Sequence, residues 1–274
     1  HCGYTAPDAK VLAVDDNAAN LSIVRQFLKE TGIQLDCCMN GDEALKRCTQ
    51  VTYDLILLDH MMPDPDGIET LSGIRSSDTS LNRDTKAVVL TANAVGGSRQ
   101  QYLDAGFIDY LTKPIDSALL EETVRKYLPA EKVLEKQESV AKPEYGSEEA
   151  NRIASCFTDI PGFDFDTAIS YCGDSDVVVL VCEEIIKDEP ERSRLLQEAM
   201  RDEDYEKYRI HAHAIKSNMA TIGVADLEKR AKDHEFAGRD KNETFIREDG
   251  EAFVAAYKEL CNKLQEALKK AAGE

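Results

Sequence analysis

Residues 55–58, Leu-Ile-Leu-Leu, form an unbroken apolar run that stops at Asp59 and passes into the turn-rich stretch His60-Met-Met-Pro-Asp-Pro-Asp-Gly67. A run this short and this apolar reads as a strand buried on both faces, which belongs in a parallel sheet covered by helices on either side. Asp59 then stands at the carboxyl end of that strand, the edge at which open α/β sheets bind ligands. A charge placed there reaches solvent; inside the strand it would be expensive. Taken alone, Asp59 is better explained as an aspartate that merely ends a strand.

Three more stretches share the pattern. Val11-Leu-Ala-Val14 ends in the acidic pair Asp15 and Asp16, Ala87-Val-Val-Leu90 ends on the hydroxyl of Thr91, and Asp109-Tyr-Leu-Thr112 ends in Lys113-Pro114. If the four strands lie parallel in one sheet, their carboxyl ends gather three carboxylates, a hydroxyl and an ammonium. Three close anions repel one another and invite a divalent cation. Mg²⁺ suits such a set, since it prefers oxygen ligands and is commonly held by one or two carboxylates together with phosphate oxygens. Lys113 and Thr91 are then available for phosphoryl oxygens, and the constellation reads as an aspartate that accepts a phosphoryl group.

Over about Lys10 to Leu128 these residues resemble the receiver domain of two-component response regulators. The resemblance implies Asp59 as phosphoacceptor, Asp15 and Asp16 as the acidic pair that holds Mg²⁺, and the backbone carbonyl of Met61 as a further metal ligand. It also implies phosphoryl contacts from Thr91 and Lys113, an aromatic at Tyr110 that reorients on activation, and a cis Lys113-Pro114 bond. Thr91-Ala-Asn-Ala-Val95 and Ala105-Gly-Phe107 fit as well, in a form typical of receivers attached to hybrid histidine kinases. Pro65 departs from the pattern, standing where a larger apolar residue is usual, but it removes no ligand. The motifs are individually weak and specific in this order and spacing.

The rest of the first half agrees with a doubly wound sheet. Asn17 caps a helix with Leu21, Val24 and Leu28 at helical spacing, ended by Thr31-Gly32. Ile33 to Met39 reads as a strand, Asp42 to Cys48 and Ile68 to Ile74 as helices, and Ser76 to Lys86 as a polar loop. A loop through Gly96-Gly97 leads to a helix ending at Ala105, and Asp116 to Tyr127 forms the last helix. His60 is expected to be a solvated loop residue, because an ionised aspartyl nucleophile needs no base.

With 274 residues the chain has room for two domains. Residues 1–9 are read as a tail, 10–129 as the receiver, 130–146 as a Glu- and Lys-rich linker and 147–274 as a helical bundle. The formal charge is −19, of which −7 falls before Ala130 (12 Lys and Arg against 19 Asp and Glu) and −12 after it (21 against 33). Two acidic halves argue against nucleic acid or an anionic membrane as direct partner. Eight cysteines, none in a Cys-x-x-Cys pair, read as reduced thiols of a cytoplasmic protein. No signal peptide is expected, and no apolar run in the sequence reaches membrane-spanning length. A chain that begins His1-Cys-Gly, without Met, is expected to be a piece of a longer protein.

In the second half Val177 to Val181 could pass for a strand, but it follows the helix-start signal Asp174-Ser175-Asp176 and is expected to be helical. Pro190 is assigned to the first turn of a separate helix running to about Arg201. Tyr205, Tyr208, Ala212, Ile215, Met219 and Ile222 recur three and four apart on the next helix. Gly223 and Gly238 are read as punctuating the one after, and Phe245 to Ala272 as a long final helix. On the third helix a wheel at about 100° per residue puts His213 roughly 130° from the apolar stripe and His211 about 70° from it. His213 is therefore expected to face solvent and His211 to border the core, with Lys216 and Ser217 one turn from His213.

From about Asp159 to Leu268 this half resembles a histidine phosphotransfer (HPt) domain, through His213-Ala-Ile-Lys-Ser-Asn218, Gly223 and Glu235-Phe-Ala-Gly-Arg239. Ser217 stands where glycine is more usual. The joint resemblance implies a phosphorelay module that passes a phosphoryl group between Asp59 and His213, with Lys216 steadying it, as in the carboxyl-terminal tail of a hybrid sensor kinase. It also implies a phosphohistidine donor and a downstream receiver as partners. No G-x-G-x-x-G or Walker-type loop is present, so no ATP site is expected. Two alternatives stand beside this reading: a receiver that signals by docking alone, and an aspartyl-phosphate phosphatase. The second is disfavoured because a Met, Met61, stands where such enzymes carry a second acid.

Overall fold

The computed structural model describes residues 3–92, 98–135 and 148–273, and it divides into two compact units, His1–Lys142 and Pro143–Glu274. The first contains strands β1 (Tyr4–Thr5), β2 (Lys10–Val14), β3 (Gln34–Cys38), β4 (Leu55–Asp59), β5 (Lys86–Thr91), β6 (Asp109–Thr112) and β7 (Leu134–Glu135). Its helices are α1 (Ala18–Leu28), α2 (Gly41–Cys48), α3 (Gly67–Ser76), α4 (Ser98–Asp104) and α5 (Ser117–Tyr127). Five strands form a parallel sheet in the order β3-β2-β4-β5-β6. This is the flavodoxin-like order, with a switch point between β2 and β4.

The apolar runs occupy this sheet because each strand is covered twice. Leu12, Val14, Ile56, Leu58, Ala87 and Val89 join Leu71, Ile74 and Tyr102 in one buried cluster under α2, α3 and α4. Their alternates Val11, Ala13, Leu55, Leu57, Val88 and Leu90 are as deeply buried toward the other face, where α1 meets α5. Helix starts follow local chemistry. Asn17 caps α1, Asn40 caps α2, Asp116 caps α5, and Asp66 forms a reciprocal capping box with Glu69 at α3. Ser76 to Lys86 is the loop from α3 to β5 that its polarity implies. Asn82 is buried there and donates to the Cys48 and Val51 carbonyls.

The tail and the start of the linker differ from expectation. Tyr4–Thr5 pairs antiparallel with Leu134–Glu135, and a short 3-10 turn, Ala130–Lys132, leads into the second strand. Lys132 reaches both carboxylate oxygens of Asp54 at 2.8 Å, and Arg125 pairs with Glu135. Tyr4 is buried and donates to the Glu121 carbonyl. The loop through Gly96-Gly97 lies outside the described residues.

The second unit is helical: α6 (Glu148–Cys156), α7 (Phe165–Cys172), α8 (Ser175–Arg201), α9 (Tyr205–Thr221), α10 (Ala225–Arg239) and α11 (Glu243–Ala272). The four long helices close a ring in which α8 packs on α9, α9 on α10, α10 on α11 and α11 on α8. Val177 to Val181 is helical, as its flanks indicate. Pro190, however, starts no new helix: it lies inside the continuous α8. A mid-helix proline costs about 3 kcal/mol. Val177, Val178, Val181, Cys182 and Ile185 on one side of it and Leu196 and Ala199 on the other are all buried, and at roughly 1.5–3 kcal/mol per large apolar side chain that burial outweighs the proline. Gly238 likewise punctuates nothing. It lies within α10, where a Cβ would come 2.9 Å from the Tyr205 carbonyl oxygen, so it allows α10 to approach α9 closely. Among the described residues no helix is long and apolar enough to cross a membrane. Cys37, Cys38, Cys48, Cys156, Cys172, Cys182 and Cys261 are free thiols.

Candidate functional site

Parallel register brings the strand ends together. Val14 pairs with Leu58, Asp59 with Leu90, and Thr91 with Thr112, so Asp15, Asp59, Thr91 and Lys113 all emerge at the same edge. Carboxylate oxygens of Asp15, Asp16 and Asp59 lie within 4.8 Å of one another. Lys113 Nζ sits 2.7 Å from Asp15 Oδ2 and 2.8 Å from Asp59 Oδ2, and all three side chains are 4% exposed or less. The Lys113-Pro114 bond is cis, and the Lys113 N–H donates to the Thr91 carbonyl at 2.8 Å. Asp15 is oriented further by the Asn17 backbone N–H at 2.9 Å and by the Asn20 side-chain amide. The Met61 N–H donates to Asp59 Oδ1 at 3.4 Å. Gly67 is required beneath the site, because a Cβ there would fall 2.1 Å from the Asp59 carbonyl oxygen.

One ammonium does not balance three carboxylates. Burial, then the neighbouring Asp15 and Asp16 charges, push the Asp59 carboxyl well above the usual carboxylate range, with Lys113 opposing them. Burial works against the Lys113 charge, but Asp15 and Asp59 outweigh it and hold its pKa above the ordinary lysine value. The cluster is therefore short of positive charge while it already seats one cation across two of its carboxylates. That donor set, all oxygen and net negative, fits a divalent metal such as Mg²⁺.

Thr91 is buried, and its Oγ1 lies 2.9 Å from the Tyr102 hydroxyl; the same hydroxyl lies 2.9 Å from His60 Nδ1. His60 is thus not the solvated loop residue its position implies. It is half-buried and packs edge-on against the Tyr102 ring at 5.2 Å. Nothing in the local sequence marks Tyr102 as a neighbour of Thr91; only the return of α4 over the sheet brings them together. Tyr110 is half-buried on β6 and packs against the core.

In the helical unit His213 is buried at 4% exposure, which corrects the expectation that it faces solvent. The helical wheel weighs only its own helix, whereas α9 is covered by α7, α8 and α10 at once. His213 Nδ1 donates to Glu235 Oε1 at 2.8 Å, and Lys216 Nζ lies 2.6 Å from Glu235 Oε2 and 3.3 Å from the imidazole. Burial raises the Glu235 carboxyl, but His213 and Lys216 outweigh it and bring it down to about 2. Ser217 is buried beside them. Glu235 is the residue whose role the sequence reading missed; its only local signal is that it sits on the helix following the His-x-x-Lys segment. His211 points elsewhere, its Nδ1 3.2 Å from buried Arg192.

Residues 11–125 match the family model of the response regulator receiver domain. Over 119 residues the chain is 38% identical to the signal transduction histidine-protein kinase BarA of Shigella flexneri and 36% identical to the sensor protein GacS of Pseudomonas syringae. Each match covers 43% of this chain and 13% of the relative. The transcriptional regulatory protein ResD of Bacillus subtilis is 39% identical over 107 residues, 39% of this chain and 42% of its own length. A solved receiver domain of a Pseudomonas aeruginosa sensor histidine kinase, with a magnesium ion in its active site cleft, is 31% identical. It covers 43% of this chain, which covers 96% of it, at a TM-score of 0.40. By the family match, residues 11–125 are a response regulator receiver domain of two-component signalling. In sequence this receiver resembles those carried by hybrid histidine kinases, of whose length this chain spans a small part.

Proposed function

We propose that the chain is a two-site phosphorelay module, in which Asp59 of the receiver and His213 of an HPt-type bundle exchange a phosphoryl group. The observation that carries this reading is that each unit holds one nucleophile inside a preorganised set of charges: Asp59 with Asp15, Asp16 and Lys113, and His213 with Lys216 and Glu235. Phosphoryl transfer needs in-line positioning and charge neutralisation more than covalent machinery, and the charges gathered around Asp59 and His213 serve the second need.

At Asp59 a carboxylate oxygen attacks the phosphorus of a phosphohistidine. The P–O bond forms as the P–N bond breaks, and the imidazole nitrogen leaves with the electron pair. Asp15, Asp16, Asp59 and the Met61 carbonyl would hold Mg²⁺, which when bound offsets the charge of phosphate and carboxylates. Lys113 and Thr91 receive the remaining phosphoryl oxygens. In the bundle, Glu235 accepting the Nδ1 proton keeps His213 in the tautomer whose Nε2 lone pair is the nucleophile. Lys216 places a positive charge beside the phosphoryl group that Nε2 receives. The partners are a phosphohistidine-bearing kinase domain on one side and the receiver of a downstream regulator on the other.

Labelling with acetyl phosphate in Mg²⁺ tests this. The expected result is an acyl phosphate on Asp59, removed by hydroxylamine, together with acid-labile, alkali-stable label on His213 that disappears in Asp59→Asn chains. Label on Asp59 that never reaches a histidine rejects the relay and leaves a docking receiver; rapid release of free phosphate from an otherwise unlabelled chain favours a phosphatase.

A further inference from the structure

Glu235 lies opposite His213 only while α10 keeps one register on α9, and apolar packing along α10 is poorly suited to keeping it. The buried residues of α10 are Leu227, Ala231, His234, Glu235, Ala237 and Gly238. Leu227, near the helix start, is the one large apolar side chain among them. Ala231, Ala237 and Gly238 let α10 come close but give its surface little relief, so they resist sliding and rotation weakly. A slip of one residue is about 1.5 Å along the axis and about 100° around it. That is enough to part Glu235 Oε1 from His213 Nδ1, which lie 2.8 Å apart. Glu235 has three side-chain torsions of its own and cannot fix the backbone that carries it.

His234, the residue before Glu235, is tied in two directions. Its Nδ1 lies 2.7 Å from the Tyr208 hydroxyl on α9, and its Nε2 lies 3.1 Å from Asp249 Oδ2 on α11. Arg230, one turn before His234 on α10, holds Asp249 in turn at 2.7 and 3.0 Å. Asp249, ionised beside that guanidinium, can only accept. Nε2 therefore carries the imidazole proton, and Nδ1 of the neutral ring accepts from Tyr208. His234 and Tyr208 are fully buried. The imidazole also stacks on the Phe253 ring at 4.2 Å and lies against Phe245 at 4.9 Å, both on α11. Directional bonds thus hold the helix at the residue where its apolar contacts are slight. A buried polar contact between helices can specify register at some cost in stability.

Accepting His213 as the histidine of the proposed relay, we propose that Tyr208 and His234 are positioning residues for its phosphorylation: their hydrogen bond pins α10 to α9 in the register that sets Glu235 on His213 Nδ1. Asp249 and Arg230 hold the imidazole from its other side and so anchor the pin to α11. Without the pin, α10 populates registers in which Glu235 no longer accepts the Nδ1 proton, and the tautomer with a nucleophilic Nε2 is less favoured.

The test uses the full chain carrying Asp59→Asn, with phosphoramidate as donor, so that label is read at His213 alone. In the step measured, His213 Nε2 bonds to phosphorus and ammonia leaves with the electron pair of the broken P–N bond. Rates are compared at a temperature where circular dichroism shows every chain folded. Tyr208→Phe keeps the ring, and His234→Gln keeps an amide nitrogen that overlays Nε2 and still donates to Asp249. Each is expected to slow labelling about three- to tenfold, the range that loss of one neutral hydrogen bond produces. In a Glu235→Ala chain neither substitution should slow labelling further. Tyr208→Phe combined with His234→Leu leaves neither partner unpaired, so stability lost in Tyr208→Phe should return while labelling stays slow; a merely structural tie would regain both. An unchanged rate in Tyr208→Phe, slowing that multiplies with Glu235→Ala, or a wild-type rate in the apolar pair overturns the proposal and leaves His213 as phosphoryl carrier. An Asp59→Asn chain that takes no label on His213 overturns the relay reading itself.

Discussion

Asp16 and Glu235 separate the two chemistries at the scale of single residues. Asp16 is half-buried and contributes an oxygen to the acidic cluster without touching Lys113 among the described contacts. Asp16→Ala is therefore expected to abolish Mg²⁺-dependent labelling of Asp59 with the fold intact; full labelling of that variant in chelator would remove the metal from the account. Glu235 makes a charge-assisted contact with His213, worth roughly 1.5–3 kcal/mol when buried. Glu235→Ala should slow phosphorylation of His213 by about 10- to 100-fold and leave Asp59 labelling by acetyl phosphate unchanged, a difference measurable in one gel series. His213→Gln should remove transfer altogether and His211→Gln should retain it. His211 matters for stability instead. Burial, then the Arg192 charge, depress its pKa from 6.5 to about 3, and burial takes His234 to about 4 against the pull of Asp249. Each folded imidazole resists a proton that the unfolded chain accepts, so the stability they contribute is complete above about pH 6.5 and is lost as pH falls toward 4 and 3. Melting temperature measured from pH 7 to pH 4 should fall across that window, and more gently in His211→Gln; a flat profile would show that neither imidazole is held neutral.

Elements show where nonlocal packing overrides local preference. Pro190 denies α8 one backbone hydrogen bond, yet the helix runs on through it, with i,i+4 side-chain pairs across that turn: Arg192 binds Asp188 at 2.9 Å and Ser193 donates to Glu189 at 2.7 Å. Gly238 has the opposite character, a weak helix former made necessary by its neighbour. Gly238→Ala would press a Cβ against the Tyr205 carbonyl and the Arg209 backbone, at 2.9 and 3.0 Å. The expected cost is about 1–3 kcal/mol, read as a lowered denaturation midpoint. Since α10 also carries Glu235, the displaced helix should slow His213 phosphorylation as well. A Gly238→Ala chain as stable and as active as wild type would show that α10 can slide on α9 without penalty.

Across the whole molecule, the β1–β7 pairing shortens the connection between the units. Twelve residues, 136–147, connect β7 to α6, and a chain of that length can reach at most about 40 Å. A tether of that length supports an effective concentration near the millimolar range, so exchange between Asp59 and His213 of one chain is expected to proceed at a rate independent of dilution. Mixing Asp59→Asn chains with His213→Gln chains isolates transfer between molecules; a wild-type rate that falls in proportion to concentration would reject the intramolecular route. With −19 charges overall, the two acidic units repel, and added salt should speed the exchange by screening them.

The receiver was legible because its signals are local or periodic. An apolar run ending on Asp59, a pair at Asp15 and Asp16, and a Lys113-Pro114 terminus each state their place in a parallel sheet, and parallel register then brings them to one edge. Caps such as Asn17, Asn40 and Asp116 act within three residues, so they too could be read directly. What the tertiary structure alone decided involves partners distant in the chain. His213 is buried because three other helices surround α9, Glu235 faces it because α10 folds back, and Tyr102 joins Thr91 to His60 across 42 residues of sequence. Strand ends and caps are written in the free energy of a few adjacent residues. Burial, close approach and hydrogen-bond chains between separate elements depend on how those elements pack, and no window along the sequence contains both partners.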